Sequence, residues 1–288
     1  MKFQFIMSFK NEFSIARQCQ NLDVSRSGYY AWTGRGKSKR KQEDERLCAE
    51  IERIFEMKRH SYGSPRMTAE LRKRGFTNSK NKVARLMHEL GLVARKHKKR
   101  KPQQEDEPKG LVVGNLLDQK FDAEGVNQKW VSDVTYIWTR DGWLYLAAIL
   151  DLYSRCIVGW SMSARRDAQL VCSALKMALM HRRPSGLVLY HSDQGSEYTS
   201  KRFQDFLKTH QIVASMSRKG NCYDNAVIES FWATLKKETG ISKKSYSRVE
   251  AHSIIFSYIE EFYNRVRSHS ALGYRSPAEF EQQCRSLN

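Results

Sequence analysis

Apolar residues recur along this chain with two different periods, and the change between them divides it. In the first third the period is helical. Ile15, Cys19 and Leu22 mark a short helix over 12–19, and Ser25 is placed to cap a second one carrying Tyr29, Tyr30 and Trp32. The stretch 33–41 (TGRGKSKRK) breaks the pattern as a basic linker. Leu47, Ile51, Ile54 and Phe55 then resume helical spacing. After the turn-like SYGSP, Met67 and Leu71 lie on a helix that stops near Gly75. In SKNKVARLMHELGL, Val83, Leu86, Met87 and Leu90 share one face, leaving Lys80, Lys82 and Arg85 on the others. Two helices about a glycine turn fit a helix-turn-helix. They fit equally an ordinary helical hairpin with charged solvent faces.

From residue 129 the pattern shortens to that of strands. Residues 129–139, 143–153 and 156–163 are rich in β-branched and aromatic side chains. They are joined by Arg140-Asp141-Gly142 and Ser154-Arg155, connections short enough for antiparallel hairpins. A helix follows over 167–181, with Leu170, Ala174, Leu175 and Ala178 inward. A strand (187–191), a helix (200–210), a strand (212–216) and a helix around Glu229 come next. The predicted order is βββαβαβα, followed by a helix over 248–263. Between the two halves, KHKKRKPQQEDEPK reads as an exposed linker, a basic run followed by an acidic one with two prolines. The expected division is a short helical module with its basic linker (1–41), a helix-turn-helix domain (42–100), a linker (101–120), an α/β core (121–240) and a C-terminal helical extension (241–288).

Charge sharpens this division. The 288 residues carry 50 Lys and Arg against 31 Asp and Glu, a net +19. The excess is uneven: residues 1–110 hold 27 basic and 13 acidic side chains, residues 111–288 hold 23 and 18. A surplus of this size predicts an anionic partner, gripped mainly by the helical half. The six cysteines form no C-x-x-C pair and none has a histidine at zinc-finger spacing, so reduced thiols and a cytoplasmic location are expected. The start, MKFQFIMSFKNEF, is a poor signal peptide, and the longest apolar run, 143–150, is too short to span a bilayer.

Three acids stand in settings that suggest chemistry. Asp133 interrupts the apolar strand WVSDVTYIW. Asp193 follows the short strand of LVLYHSDQGSEY at a Gly-containing turn. Glu229 lies on the helical DNAVIESFWATLKKE, separated from Asp193 by 35 intervening residues. One carboxylate from mid-strand, one from a strand end and one from a helix converge readily in an α/β fold. Three such groups repel one another unless hard divalent cations lie between them, and oxygen ligands suit Mg²⁺ or Mn²⁺. Two ions on a phosphodiester are standard machinery for cutting and joining nucleic-acid strands. Each acid also has an ordinary structural reading: a hydrogen-bonded core aspartate, a helix cap, a surface glutamate. Glu197 is a rival ligand to Asp193. Asp224 is placed to cap the Glu229 helix, and Asp151 reads as structural or substrate-positioning beside Arg155. Lys236, seven residues after Glu229, falls on roughly the same helix face, where it would meet the DNA backbone or simply face solvent.

These segments resemble a known family. WVSDVTYIWT, YHSDQGSEYTS and GNCYDNAVIESFWATLKKE are similar to the core of bacterial insertion-sequence transposases of the IS-three family, in the product of the downstream reading frame. The likeness runs from SIARQCQNLDVSRSGYYAW to YNRVRSHSALGYRSPAEF. It implies an RNase H-like, retroviral integrase-like α/β core with N-terminal all-α helix-turn-helix modules. It also implies a DDE-type transposase, with Asp133, Asp193 and Glu229 as catalytic and metal ligands and two Mg²⁺ or Mn²⁺ ions. Lys236, Lys80, Lys82 and Arg85 would touch DNA. The partners implied are element ends and target DNA, a homo-oligomer on DNA, and an upstream-frame product or fusion, in a nucleoid-associated bacterial protein. The resemblance also covers Tyr263, Asn264, Arg267, His269, Leu272, Gly273 and Pro277, whose role, buttress or DNA contact, the sequence leaves open. Two other functions remain: a nuclease of the same fold without strand transfer, which joined DNA products would exclude, and a non-catalytic DNA-binding regulator, against which the three acids speak.

Overall fold

The computed structural model describes residues 1–36, 38–94, 110–218, 222–242 and 244–286. The charged linker KHKKRKPQQEDEPK lies outside the described residues. Two compact units are present, 1–53 and 54–288, and the boundary falls inside one long helix.

The first unit contains α1 (Lys2–Ser8), α2 (Ile15–Asn21), α3 (Arg26–Thr33) and the start of α4 (Lys39–Met57). Ser25 caps α3 as expected, its Oγ accepting the Gly28 N–H at 3.0 Å. The helix at the extreme N-terminus has no counterpart among the elements expected from periodicity. Its Ile6 is fully buried with Cys19 and Tyr29, and Phe3 packs against them, while Phe5, Met7 and Phe13 are exposed.

In the second unit, α5 (Ser64–Lys73) and α6 (Lys80–Glu89) form the helical pair expected from the periodicity. Met67, Leu71, Val83, Leu86 and Met87 are buried, and Ser79 caps α6 through the Lys82 N–H. The core follows: β1 (Lys129–Thr139), β2 (Gly142–Asp151), β3 (Ile157–Ser163), α7 (Ala168–Arg182), β4 (Leu189–Ser192), α8 (Ser196–Thr199), α9 (Lys201–Thr209), β5 (Val213–Met216) and α10 (Ala226–Thr239). Then come α11 (Arg248–Phe256), continued by a π-helical segment over Ser257–Tyr263, and α12 (Pro277–Ser286). The five strands are ordered β3-β2-β1-β4-β5. The first three pair antiparallel, while β4 and β5 join parallel to β1.

Strand β2 is buried on both faces, which explains its unbroken apolar run. Leu144, Leu146, Ala148 and Leu150 meet α10, α11 and the π-helical segment, while Ala147 and Ile149 meet α7. Gly159 on β3 lets α7 approach closely, since a Cβ there would stand 2.3 Å from the Ala174 carbonyl oxygen. The C-terminal segment ties the core to the helical pair: Tyr62 Oη donates to Ser268 Oγ at 2.9 Å, and Lys58 Nζ to the Val266 carbonyl at 3.3 Å.

Candidate active site

Strand register brings two of the three acids together. The parallel pairing of β1 with β4 ends at Val131 opposite His191. Asp133 and Asp193 each lie two residues beyond that pair, where the strands part. The carboxyl ends of parallel strands are the usual place for a site in such sheets. The Asp193 Oδ1 accepts the Gly195 N–H at 2.9 Å, which fixes the turn after β4. Asp133 accepts the Val134 N–H at 2.7 Å on one oxygen and the Trp232 Nε1–H at 2.8 Å on the other. Trp232 belongs to α10. Glu229 lies one turn earlier on the same helix, on the same face at i, i+3, and is exposed.

Electrostatics ties the three together. Burial, then the repulsion of Asp193, pushes the Asp133 carboxyl up to about 7. The Trp232 and Val134 N–H groups work against this, and Glu229 adds the smallest contribution. Among the described residues, no three His, Cys, Asp or Glu side chains are gathered closely enough to hold a metal ion. The close pair is Asp133 and Asp193, with Glu229 further out.

The other acids have separate structural partners. Glu197 is buried and bonded by Arg166 Nε at 2.8 Å. Asp151 is fully buried and accepts the Asn127, Tyr153 and Ser154 N–H groups at 2.6, 2.9 and 3.1 Å, so it organises the β2–β3 turn. Asp224 does not cap α10: the cap position is Asn225, without a side-chain bond. Asp224 instead gathers Asn115 Nδ2 (2.9 Å), Gln119 Nε2 (3.0 Å) and the Arg218 backbone N–H (3.0 Å). Burial raises its carboxyl, but these donors and the Arg218 guanidinium bring it down to about 2. His191 is buried between Ser215 and Ser217, and burial lowers it to about 4, so it is neutral and structural.

The cations are dispersed. Lys236 Nζ stands 5.1 Å from the centroid of the Tyr136 ring, near the free edge of β1. On α6, Lys80 is exposed, Lys82 is half-buried, and Arg85 pairs with Glu89 at 2.6 Å. Sequence reasoning missed Arg166. Its Nη2 lies 3.1 Å from where a Cβ on Gly195 would stand, against 2.9 Å for the Asp193 Oδ1. No spacing signal marks it, because it comes from the loop before α7.

The C-terminal segment buttresses α10. Arg267 bonds Glu238 of α10 through Nε and Nη2 at 3.0 to 3.1 Å, with both groups buried. Tyr263 packs edge-on against Phe231, ring centroids 4.8 Å apart. Asn264 exchanges two hydrogen bonds with the Ile157 backbone.

A mixed five-stranded sheet with acids in the middle of β1, just past β4 and on α10 is the architecture of an RNase H-like integrase core, here preceded by helix-turn-helix elements. The models of two families described as integrase core domain match residues 123–222 and 210–277, and one described as HTH-like domain matches residues 41–100. The class is that of DDE-type polynucleotidyl transferases acting on DNA. The chain belongs to the IS3 family of insertion-sequence transposases. It is 44% identical over 284 residues, 98% of either chain, to the transposase InsF for insertion sequence IS3A of Escherichia coli K12. It is 44% identical over 264 residues, 92% of this chain and 97% of the other, to the 31 kDa protein of insertion element IS600 of Shigella sonnei. The catalytic core domain of BIV integrase aligns at 19% identity and a TM-score of 0.42, over 56% of this chain and 97% of that one. Among the described residues no helix is long and apolar enough to cross a membrane.

Proposed function

We propose that Asp133, Asp193 and Glu229 are the catalytic acids of this transposase and the ligands of two divalent ions, Mg²⁺ or Mn²⁺. The observation that carries this reading is the Asp133–Asp193 pair, each two residues past the last β1–β4 pairing, with Asp133 pushed up to about 7. The two carboxylates repel each other even with the Arg166 guanidinium nearby, and oxygen ligands of this kind suit a hard cation. Glu229 would complete the set by moving in on α10. Such ions, when bound, stabilise the entering and leaving oxygens of an in-line displacement.

The remaining parts of the site serve orientation. Trp232 holds one Asp133 oxygen, and the Gly195 N–H holds one Asp193 oxygen. The reaction is hydrolysis of a phosphodiester at an element end, which leaves a 3′-OH. That hydroxyl then attacks a second phosphodiester, with no covalent enzyme intermediate. Exposed Lys80 and its neighbours Lys82 and Arg85 on α6, with Lys236 on α10, are assigned to the DNA backbone. The working form is a homo-oligomer on element ends in the nucleoid, with an upstream-frame product as partner or fusion.

Asp133→Asn, Asp193→Asn and Glu229→Gln are each expected to abolish cleavage and joining of labelled element ends, with DNA binding retained. Glu197→Gln is expected to keep measurable activity. Near-normal joining by any of the first three removes that residue from the set. Cleavage without joined products in the unaltered protein would favour a nuclease of the same fold.

A further inference from the structure

Arg166 has no place in the reading given so far, yet it stands beside the two close acids. It lies in the loop between β3 and α7, just before the Asp167 cap. Its Nε donates to Glu197 Oε1 at 2.8 Å, and the Glu197 side chain is completely buried on α8 while that of Arg166 is 39% exposed. Among the described residues, no side-chain hydrogen bond engages Nη1 or Nη2. One end of the guanidinium is therefore anchored in the core, and the other end is presented at the surface over Gly195.

The surroundings define what that end is for. Burial works against the Arg166 charge, but Glu197, then Asp193 and Asp133, more than offset it and hold the group firmly protonated. A carboxylate as buried as Glu197 is costly without a cation, so the pair is kept together. An arginine anchored through Nε retains a planar edge of terminal N–H donors, and that edge matches two oxygens of a phosphate. A lysine anchored in the same way would have no such edge left. The two aspartates repel an incoming DNA backbone, and a fixed guanidinium next to them offsets that repulsion at the place where strand cleavage needs it.

We propose that Arg166 grips a backbone phosphate of the reacting DNA strand beside the scissile position, with Glu197 as its anchor. The proposal rests on the reading of Asp133 and Asp193 as the reacting acids. Gly195 is part of the device, because a Cβ there would stand 2.9 Å from Asp193 Oδ1, 3.0 Å from Glu197 Oε1 and 3.1 Å from Arg166 Nη2. No side chain larger than hydrogen fits among the three groups as they stand.

The test uses the full chain and element-end duplexes that carry one neutral methylphosphonate at a time near the scissile position. With the unaltered protein, one position should slow joining at saturating DNA. Arg166→Ala should slow joining of the natural duplex by a factor on the order of a hundred, the scale expected when a reacting group is misplaced by about 1 Å. At that one position it should be indifferent to the neutral linkage, while remaining as sensitive as the unaltered protein elsewhere. Arg166→Lys, which keeps the charge and guards against a folding defect, should lose less rate and keep part of the interference. Glu197→Gln should fall between the unaltered protein and Arg166→Ala and keep the interference position. If Arg166→Ala and Arg166→Lys show the unaltered interference pattern at every position, Arg166 touches no phosphate and the proposal is overturned. Active Asp133→Asn or Asp193→Asn proteins would instead overturn the reading of the acids, and the interference pattern would still report on Arg166.

Discussion

Arg267→Met should destabilise the protein far more than a surface substitution, and the structure explains how much. Glu238 on α10 is 3% exposed and Arg267 5% exposed. The carboxylate receives three hydrogen bonds from the Arg267 guanidinium at 3.0 to 3.1 Å and one from Tyr258 Oη at 2.8 Å. Arg66 reaches it only at 4.0 Å. Removing Arg267 takes three hydrogen bonds and the close positive charge away from a buried carboxylate. Breaking a buried pair from one side costs about 3–5 kcal/mol. For a chain of this size each kcal/mol moves the melting temperature by about 2–4 °C, so a fall on the order of ten degrees is expected. Differential scanning fluorimetry at neutral pH measures it. The double variant Glu238→Gln/Arg267→Met, which leaves no orphaned charge, should recover at least half of the loss. Joining activity of Arg267→Met should fall even below its melting temperature, because α10 carries both Glu229 and Trp232. A single variant within about 1 kcal/mol of the unaltered protein would refute the buried-charge argument. So would a double variant no more stable than the single.

Two further outcomes follow from the site and from α6. Trp232→Phe removes the N–H donor that lowers Asp133, so its carboxyl should rise further above about 7. The ionised form is populated above that value, so the acid limb of the pH–activity profile should move to higher pH, and an unmoved limb would show that Trp232 does not tune Asp133. Substituting exposed Lys80 by Glu should weaken DNA binding and flatten its salt dependence, as read by fluorescence anisotropy. The log–log slope should fall by about 0.9 for each phosphate that the variant no longer neutralises. An unchanged slope would place the grip outside α6.

Local structure is legible in the chain itself, which also singles out Asp133, Asp193 and Glu229 as candidate acids. The period of the apolar residues was enough for β1 to β5 and for α5, α6, α7, α9 and α10 to within a few residues, because burial on one or both faces dictates that period. Serines cap helices at positions 25, 79 and 200, and Ser25 and Ser200 stand at helix starts legible from the chain for the same local reason. Asp133, Asp193 and Glu229 stood out because each breaks or borders an apolar pattern.

Tertiary structure decided everything that depends on which elements meet. The poor signal peptide became α1 because Ile6 found Cys19 and Tyr29. Asp224 left the cap role because Arg218, Asn115 and Gln119 supply stronger partners than one helix terminus does. Lys236, which seven-residue spacing puts on the face of the acids, reaches the Tyr136 ring because β1 has a free edge beyond its pairing with β4. The C-terminal motif could read as buttress or DNA contact, and it packs as a buttress because Glu238 is buried and needs a cation. Arg166 carried no signal in the chain at all. Its position over the Asp193 turn follows from a single ion pair to Glu197, 31 residues away in sequence, and long-range pairs of that kind are written in no local period.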